Sequence, residues 1–350
     1  MSFEARLTVD LDALAANYRR LAQAATGAET APVVKADAYG LGAAQVARQL
    51  WAEGARSFFV ARLSEGEAVR MALGADRQAQ VYVFDGCPNG AADLLRNAGL
   101  TPVLNSLDQV QAWVSAGGGP AALHVDTGMN RLGLQVEELS ALPPIDIRLI
   151  VSHLACAEDA HHPLNARQRE RFETAAAVFP GARCSLANSA GVFLGEAFRL
   201  DMVRPGIGLY GGGIDLGVRT VATLEAPVLQ VRQVQPGETV GYGAAFTATE
   251  LTTVAIVAAG YADGVLRGGA RGGYGWTNGV PCPILGRISM DLIALDIGAA
   301  ADVRPGTMVE LLGPNVALRG VAERAGTIEY EVLTRIGGAR VSRVYRGEAA

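Results

Sequence analysis

In PVVKADAYGLG, residues 32–42, an apolar run ends on Lys35 and a lone tyrosine, Tyr39, follows four residues later. An ammonium at that place has two readings. It reaches solvent along its own methylenes, or it is a desolvated amine of lowered pKa, poised to form a Schiff base with a carbonyl. Tyr39 is either a packing ring or a hydroxyl within reach of a phosphate. Further along, Arg131 follows the run ALHVDT, His153 closes IRLIVSH, Asn188 and Ser189 end RCSLANS, and Arg204 lies in MVRPGIGLY. The segment GIGLYG (206–211) has the G-x-G-x-x-G spacing of a dinucleotide loop, which has meaning only where a helix opens behind it. GGIDLG follows instead and starts a helix poorly, so no Rossmann site is assigned. The amides of Gly206 and Ile207, with the Ser189 hydroxyl, suit a phosphate; a tight turn leading onward is the alternative.

Other chemistries find little support. There is no G-x-S-x-G elbow for a serine hydrolase. Cys87, Cys156, Cys184 and Cys282 are scattered with no C-x-x-C pair, so neither a metal site nor a disulfide framework is expected, and reduced thiols point to the cytoplasm. Of the four histidines, His161 and His162 are neighbours in a polar stretch.

The positions gain meaning from the elements that must carry them. Up to about residue 220 short β-rich runs alternate with helix-like segments at the period of a βα unit. The runs are PVVKA, SFFVA, VYVF, TPVLN, ALHVDT, IRLIVSH, RCSLANS and MVRPGIGLY. SEGE, Ser64 to Glu67, has the spacing of a capping box. Eight such units suit an α/β fold closed as a (β/α)8 barrel, with an open doubly wound sheet as the alternative. Lys35, Arg131, His153, Ser189 and Arg204 then converge at the carboxyl ends of the strands, where such barrels place their active sites. Beyond residue 220 the runs PVLQVRQV, TVAIVAAGY, PCPILGRISM, DLIALDI and TMVELLG are strand-like and split by PGE, NG and PG turns. The expected division is therefore a barrel over residues 1–220 and a mainly β domain over 221–350. The early strand within residues 1–9 fits either.

Half of the 350 residues are apolar and 19% are charged, which suits a globular chain with a sizeable core. A net charge of −5 argues against a nucleic-acid or anionic-membrane partner. No run of about 18 apolar residues suggests a membrane span, and the acidic N-terminal stretch is unlike a signal peptide.

The motifs VVKADAYGLG, HVDTGMNRLGL, SLANSAG, VRPGIGLYGG, VGYGAAF, GYADG, GRISMD and RVYRG occur in this order from Lys35 to Tyr345. In that order they resemble the bacterial alanine racemases. The resemblance implies a barrel bearing pyridoxal 5'-phosphate, joined to a β domain in a head-to-tail homodimer. It makes Lys35 the covalent anchor and puts Tyr39, Ser189, Gly206, Ile207 and Tyr345 around the phosphate. Arg204 faces the pyridine nitrogen, with His153 nearby. Tyr242 becomes the second base, supplied by the partner subunit. Arg131 and the backbone of Met290 meet the substrate carboxylate, Tyr261 lines the entrance, and Asp291 shapes the Met290 loop. Alanine is the implied substrate, which the bulk of Tyr261, Tyr345 and Met290 favours, and D-alanine for peptidoglycan is the implied product. A broader-specificity racemase and a fold-related pyridoxal phosphate decarboxylase are the alternatives; VGYGAAF and GRISMD fit the latter poorly.

These roles agree with physical chemistry. Racemisation takes a proton from one face of a carbon and returns one to the other, so two bases must flank it. A phenol ordinarily titrates near pH ~10 and needs cationic or hydrogen-bonding neighbours to act as such a base. An arginine opposite the pyridine nitrogen cannot hand over its proton, which limits side reactions such as transamination. Two positions depart from the family pattern. His124 stands where a lysine is common, carbamylated in some members to orient the following arginine, and Leu41 stands where a histidine is common.

Overall fold

The computed structural model describes residues 4–74, 76–338 and 340–347. Eighteen strands are present among them: β1 (Arg6–Asp10), β2 (Glu29–Thr30), β3 (Ser57–Val60), β4 (Gln80–Val83), β5 (Thr101–Leu104), β6 (Ala121–His124), β7 (Ile147–Val151), β8 (Arg183–Ser185), β9 (Met202–Val203), β10 (Ala222–Val234), β11 (Thr239–Val240), β12 (Phe246–Thr247), β13 (Thr252–Val257), β14 (Tyr274–Thr277), β15 (Val280–Pro283), β16 (Ile293–Asp296), β17 (Met308–Leu312) and β18 (Ser342–Arg346).

Strands β3 to β8 form one curled parallel sheet in simple sequence order. Their apolar runs are continuous rather than alternating because both faces are covered, as parallel sheets require. SFFV and TPVL are buried at every position. Helices such as Ala43–Ala52, Leu63–Leu73, Leu107–Ser115 and Pro163–Ala176 connect the strands. Strand β2 pairs in parallel with β9. Backbone bonds continue on either side of this pair: Phe59 N–H donates to Pro32 O at 2.9 Å, and Arg204 N–H donates to Ala187 O at 2.9 Å.

The second sheet runs β15-β14-β17-β10-β1-β18, with β13 on β10 and β16 on β13. Strand β10 holds it together. Its first half pairs with β1 and β17, and after an irregularity between Val228 and Gln230 it pairs with β13. The early strand β1 lies here, antiparallel to β10 and parallel to β18. Leu7 and Val9 on its inner face are fully buried, the period-2 pattern of a half-buried strand. A hairpin, β11–β12, carries the turn Tyr242–Ala244.

One local expectation is corrected. The helix Leu63–Leu73 starts ahead of SEGE, with Arg62 as its N-cap. Glu65, not Glu67, accepts the N–H groups of Ala61 at 2.8 Å and Arg62 at 3.1 Å. The capping position is three residues before the carboxylate, which selects Arg62 and leaves Ser64 inside the first turn. Among the described residues no helix is long and apolar enough to cross a membrane.

Candidate active site

The expected strand PVVKA is not formed: β2 ends at Thr30, only Val33 bridges to Phe59, and Lys35 opens a left-handed turn. Ala36, Asp37 and Ala38 have φ of 53° and Tyr39 of 57°. Each such residue costs an L-amino acid roughly 1–2 kcal/mol, so the turn persists only because its surroundings fix it. Glu65 Oε1 accepts from Ala36 N–H at 2.7 Å, and Asp37 Oδ1 accepts from Ala43 N–H at 2.7 Å. The other oxygen of Asp37 pairs with Arg343 of β18 at 3.0 Å. Tyr345, on the same strand, donates its hydroxyl to Leu41 O at 3.2 Å. A side chain at Gly42 would have no room, since its Cβ would lie 1.9 Å from the Tyr345 hydroxyl. The second sheet thus clamps the turn that follows Lys35.

The Lys35 amine lies 6.0 Å from the Phe84 ring centroid. Burial pulls its pKa down and the Arg131 cation adds to this, against weaker opposing pulls from Glu65 and Asp85. Around it stand three further basic groups. Arg204 is buried, bonded to Ser185 Oγ and to Ser152 O. Burial brings it down to about 9, which leaves it cationic at neutral pH. The same burial, then the Arg204, Arg131 and Lys35 charges, push His153 down to about 3, so its ring is neutral. His124 is pulled down to about 4 by burial and Arg204, and its Nδ1 lies 2.8 Å from Asn105 Oδ1.

Beside this cluster is a set of hydrogen-bond donors. Ser189 Oγ accepts from the N–H groups of Gly206 at 2.9 Å and Gly208 at 3.1 Å, which leaves its own proton to donate outward. The Gly206 amide, expected as a donor, is therefore already engaged. The Ile207 amide and the buried Tyr39 hydroxyl donate to no partner among the described residues. Tyr39 stacks on Tyr210 with ring centroids 4.6 Å apart, and a Cβ on Gly206 would fall 2.2 Å from its hydroxyl. Only glycine permits that approach. The segment Ile207–Tyr210 is a short 3-10 turn rather than a long helix, in keeping with the rejected dinucleotide motif.

Arg131 is exposed and makes no hydrogen bond or ion pair among the described residues, yet its charge reaches Lys35, His124 and His153. The other candidates stand apart. Tyr242 is 70% exposed, Tyr261 43% and Met290 52%. The Tyr261 and Met290 loops are laced together, with Ala262 N–H donating to Met290 O at 3.0 Å and Tyr261 N–H to Ser289 O at 3.1 Å. Arg340 binds Asp291 at 2.8 Å and Asp263 at 3.3 Å. No hydrogen bond, ion pair or ring contact joins Tyr242, Tyr261, Met290 or Asp291 to Lys35 among the described residues of one chain. Sequence reasoning overlooked Phe84, Glu65, Asn105 and Arg343. Asn105 follows directly on β5, so the rule that selected the other strand-end residues would have found it.

The alanine racemase N-terminal domain family matches residues 9–213 and the alanine racemase C-terminal domain family matches residues 221–345. The chain belongs to the alanine racemase family. An alanine racemase of Rhodospirillum rubrum is 46% identical over 98% of this chain and 96% of its own length. One from Cereibacter sphaeroides is 46% identical over 99% of each. Among solved structures, the alanine racemase of Bartonella henselae with covalently bound pyridoxal phosphate superposes with a TM-score of 0.92 at 38% identity, covering 98% of this chain and 99% of that one. The biosynthetic alanine racemase of Pseudomonas aeruginosa gives 0.91 at 34% identity over 99% of this chain and all of that one. Members of the alanine racemase family thus share the whole length of this chain, both sheets included.

Proposed function

We propose that this chain interconverts L- and D-alanine with pyridoxal 5'-phosphate, using Lys35 and Tyr242 as bases on opposite faces of the α-carbon. The observation that carries the proposal is the Lys35 amine, depressed by burial and by Arg131, on the turn whose Tyr39 hydroxyl lies against Gly206 and the Ser189 donor set. The residues present fit the cofactor. Ser189, Ile207 and Tyr39 would hold its phosphate, joined by Tyr345 once its hydroxyl leaves Leu41 O, Arg204 would hold its ring nitrogen, and Lys35 its carbonyl carbon, with His153 alongside; Gly206 serves by leaving room for the Tyr39 hydroxyl. When bound, the cofactor delocalises the charge left on a deprotonated α-carbon, an acidity no side chain could otherwise exploit.

The chain's own groups do the rest. Lys35 takes or returns the proton on the face of the D-enantiomer, and Tyr242 of the partner subunit does so on the face of L-alanine. Arg131 and the free Met290 amide grip the carboxylate, Tyr261 narrows the entrance, and Asp291, through Arg340, steadies the Met290 loop. Arg204 stays cationic and keeps its proton, which disfavours charge build-up at the ring nitrogen. A homodimer with shared sites is part of this reading, supported by the exposure of Tyr242, Tyr261 and Met290. So is an eight-stranded closed barrel over residues 1–220, supported by the backbone bonds on both flanks of the β2–β9 pair, with a mainly β domain over 221–350. A cytoplasmic setting, which four unpaired thiols suit, and a role in supplying D-alanine for peptidoglycan complete the proposal. The test is an enantiomer-conversion assay over a panel of amino acids with the cofactor present. Interconversion of alanine well above serine or valine is expected; decarboxylation, or no preference for alanine, would overturn it.

A further inference from the structure

We propose that His124 orients Arg131, as a neutral imidazole whose Nε2 lone pair accepts a hydrogen bond from the guanidinium. The inference deepens the proposed function, because it rests on Arg131 meeting the substrate carboxylate. Its first support is a forced tautomer. Asn105 donates through Nδ2 to Phe84 O at 2.7 Å and to Val103 O at 2.8 Å. Two carbonyls on that nitrogen fix the amide orientation, so Oδ1 can only accept. His124 Nδ1, 2.8 Å from that oxygen, must then carry the ring proton. With the ring neutral, Nε2 is a bare acceptor.

The second support is where that acceptor faces. The loop of residues 127–133 leaves β6 and returns to it: Leu134 N–H donates to His124 O at 2.9 Å, and Asp126 N–H donates to Leu134 O at 2.8 Å. Gly133 folds over the imidazole so closely that a Cβ there would lie 3.2 Å from Cδ2, the carbon bonded to Nε2. Arg131 is two residues before Gly133 on this loop. The nearby carboxylate is engaged within the loop, since Asp126 Oδ1 accepts the N–H groups of Gly128, Met129 and Asn130 and the Gln135 side chain also bonds the carboxylate. Arg131 makes no hydrogen bond or ion pair among the described residues, and its charge stands near enough to help lower the His124 pKa. An anionic partner would hold Arg131 and neutralise it; an imidazole holds it and leaves its charge to the substrate. The chain would thereby need no carbamate at this position, and its activity would not depend on carbon dioxide.

The test compares His124→Leu, which removes the acceptor, with His124→Gln, whose amide oxygen can reach the Nε2 position. A hydrogen bond to a charged group is expected to move KM for both alanine enantiomers about tenfold or more in the leucine variant, with kcat far less affected. The glutamine variant should recover most of that loss, and removing bicarbonate should change neither the natural protein nor the variants. Unchanged KM in His124→Leu, equal loss in both variants, or bicarbonate dependence of the natural protein would overturn the inference. Nitrogen-15 spectra of the natural protein test it even if a variant fails to fold: Nδ1 protonated is expected, and Nε2 protonated would contradict it. Inactivity on alanine would instead sink the proposed function and leave the tautomer result standing.

Discussion

The amine of Lys35 lies among charges of its own sign, with Arg131 lowering its pKa and its own charge helping to lower that of His153. A buried ammonium so placed gives up its proton more readily than one in water. Replacing Lys35 with alanine should abolish racemisation, and borohydride should no longer fix the cofactor to the chain; a reduced adduct elsewhere would move the anchor to another residue. Tyr242→Phe should slow proton abstraction from L-alanine far more than exchange into D-alanine, by several powers of ten if general base catalysis at that face is lost. Deuterium incorporation into each enantiomer measures this, and equal loss on both faces would count against opposed bases. The two buried histidines also give a pH signature. His153 at about 3 and His124 at about 4 both lie below the ordinary 6.5. The unfolded chain therefore binds more protons than the folded one below pH 6.5, and stability falls as acid is added through this window. His124→Gln should flatten part of the decline between pH 6.5 and 4 in denaturant titrations; an unchanged slope would show that His124 is not held neutral.

At the scale of elements, the left-handed turn Ala36–Tyr39 and its clamp decide where Lys35 and Tyr39 point. Asp37 caps the helix Ala43–Ala52 and ties the turn to Arg343 at once. Asp37→Ala should cost about 1 kcal/mol or more through the lost cap alone, and it should weaken cofactor retention in equilibrium dialysis, whereas a distant surface cap lost at equal cost should not. The sequence made some of this arrangement legible and hid the rest for physical reasons. The βα period located the strands that precede His153, Ser189 and Arg204, because buried parallel strands need continuous apolar runs; the run PVVKA forms no strand, since β2 ends at Thr30, five residues before Lys35. The turn itself was not visible. Ala36, Asp37, Ala38 and Tyr39 carry none of the glycine signal that normally marks positive φ, and the tethers that hold them come from Glu65 and from β18, some three hundred residues away in sequence. The place of β1 was equally undecided, since its alternating pattern fits any half-buried sheet and only its pairing with β10 and β18 fixes it.

For the whole molecule, the proposal requires two chains. Tyr242 stands 70% exposed on the separate β11–β12 hairpin, while Lys35 lies between β2 and β3. Specific activity should therefore fall on dilution below the dimer dissociation constant, in step with the dimer fraction seen by sedimentation. The most direct test mixes subunits. Lys35→Ala and Tyr242→Phe chains, each unable to racemise alone, are refolded or co-expressed together. If Lys35 of one chain works with Tyr242 of the other, each mixed dimer contains one intact site, and random pairing should restore about a quarter of natural activity. If both residues of a site belong to the same chain, every site in the mixture stays defective, and the absence of any recovery would contradict the shared-site reading.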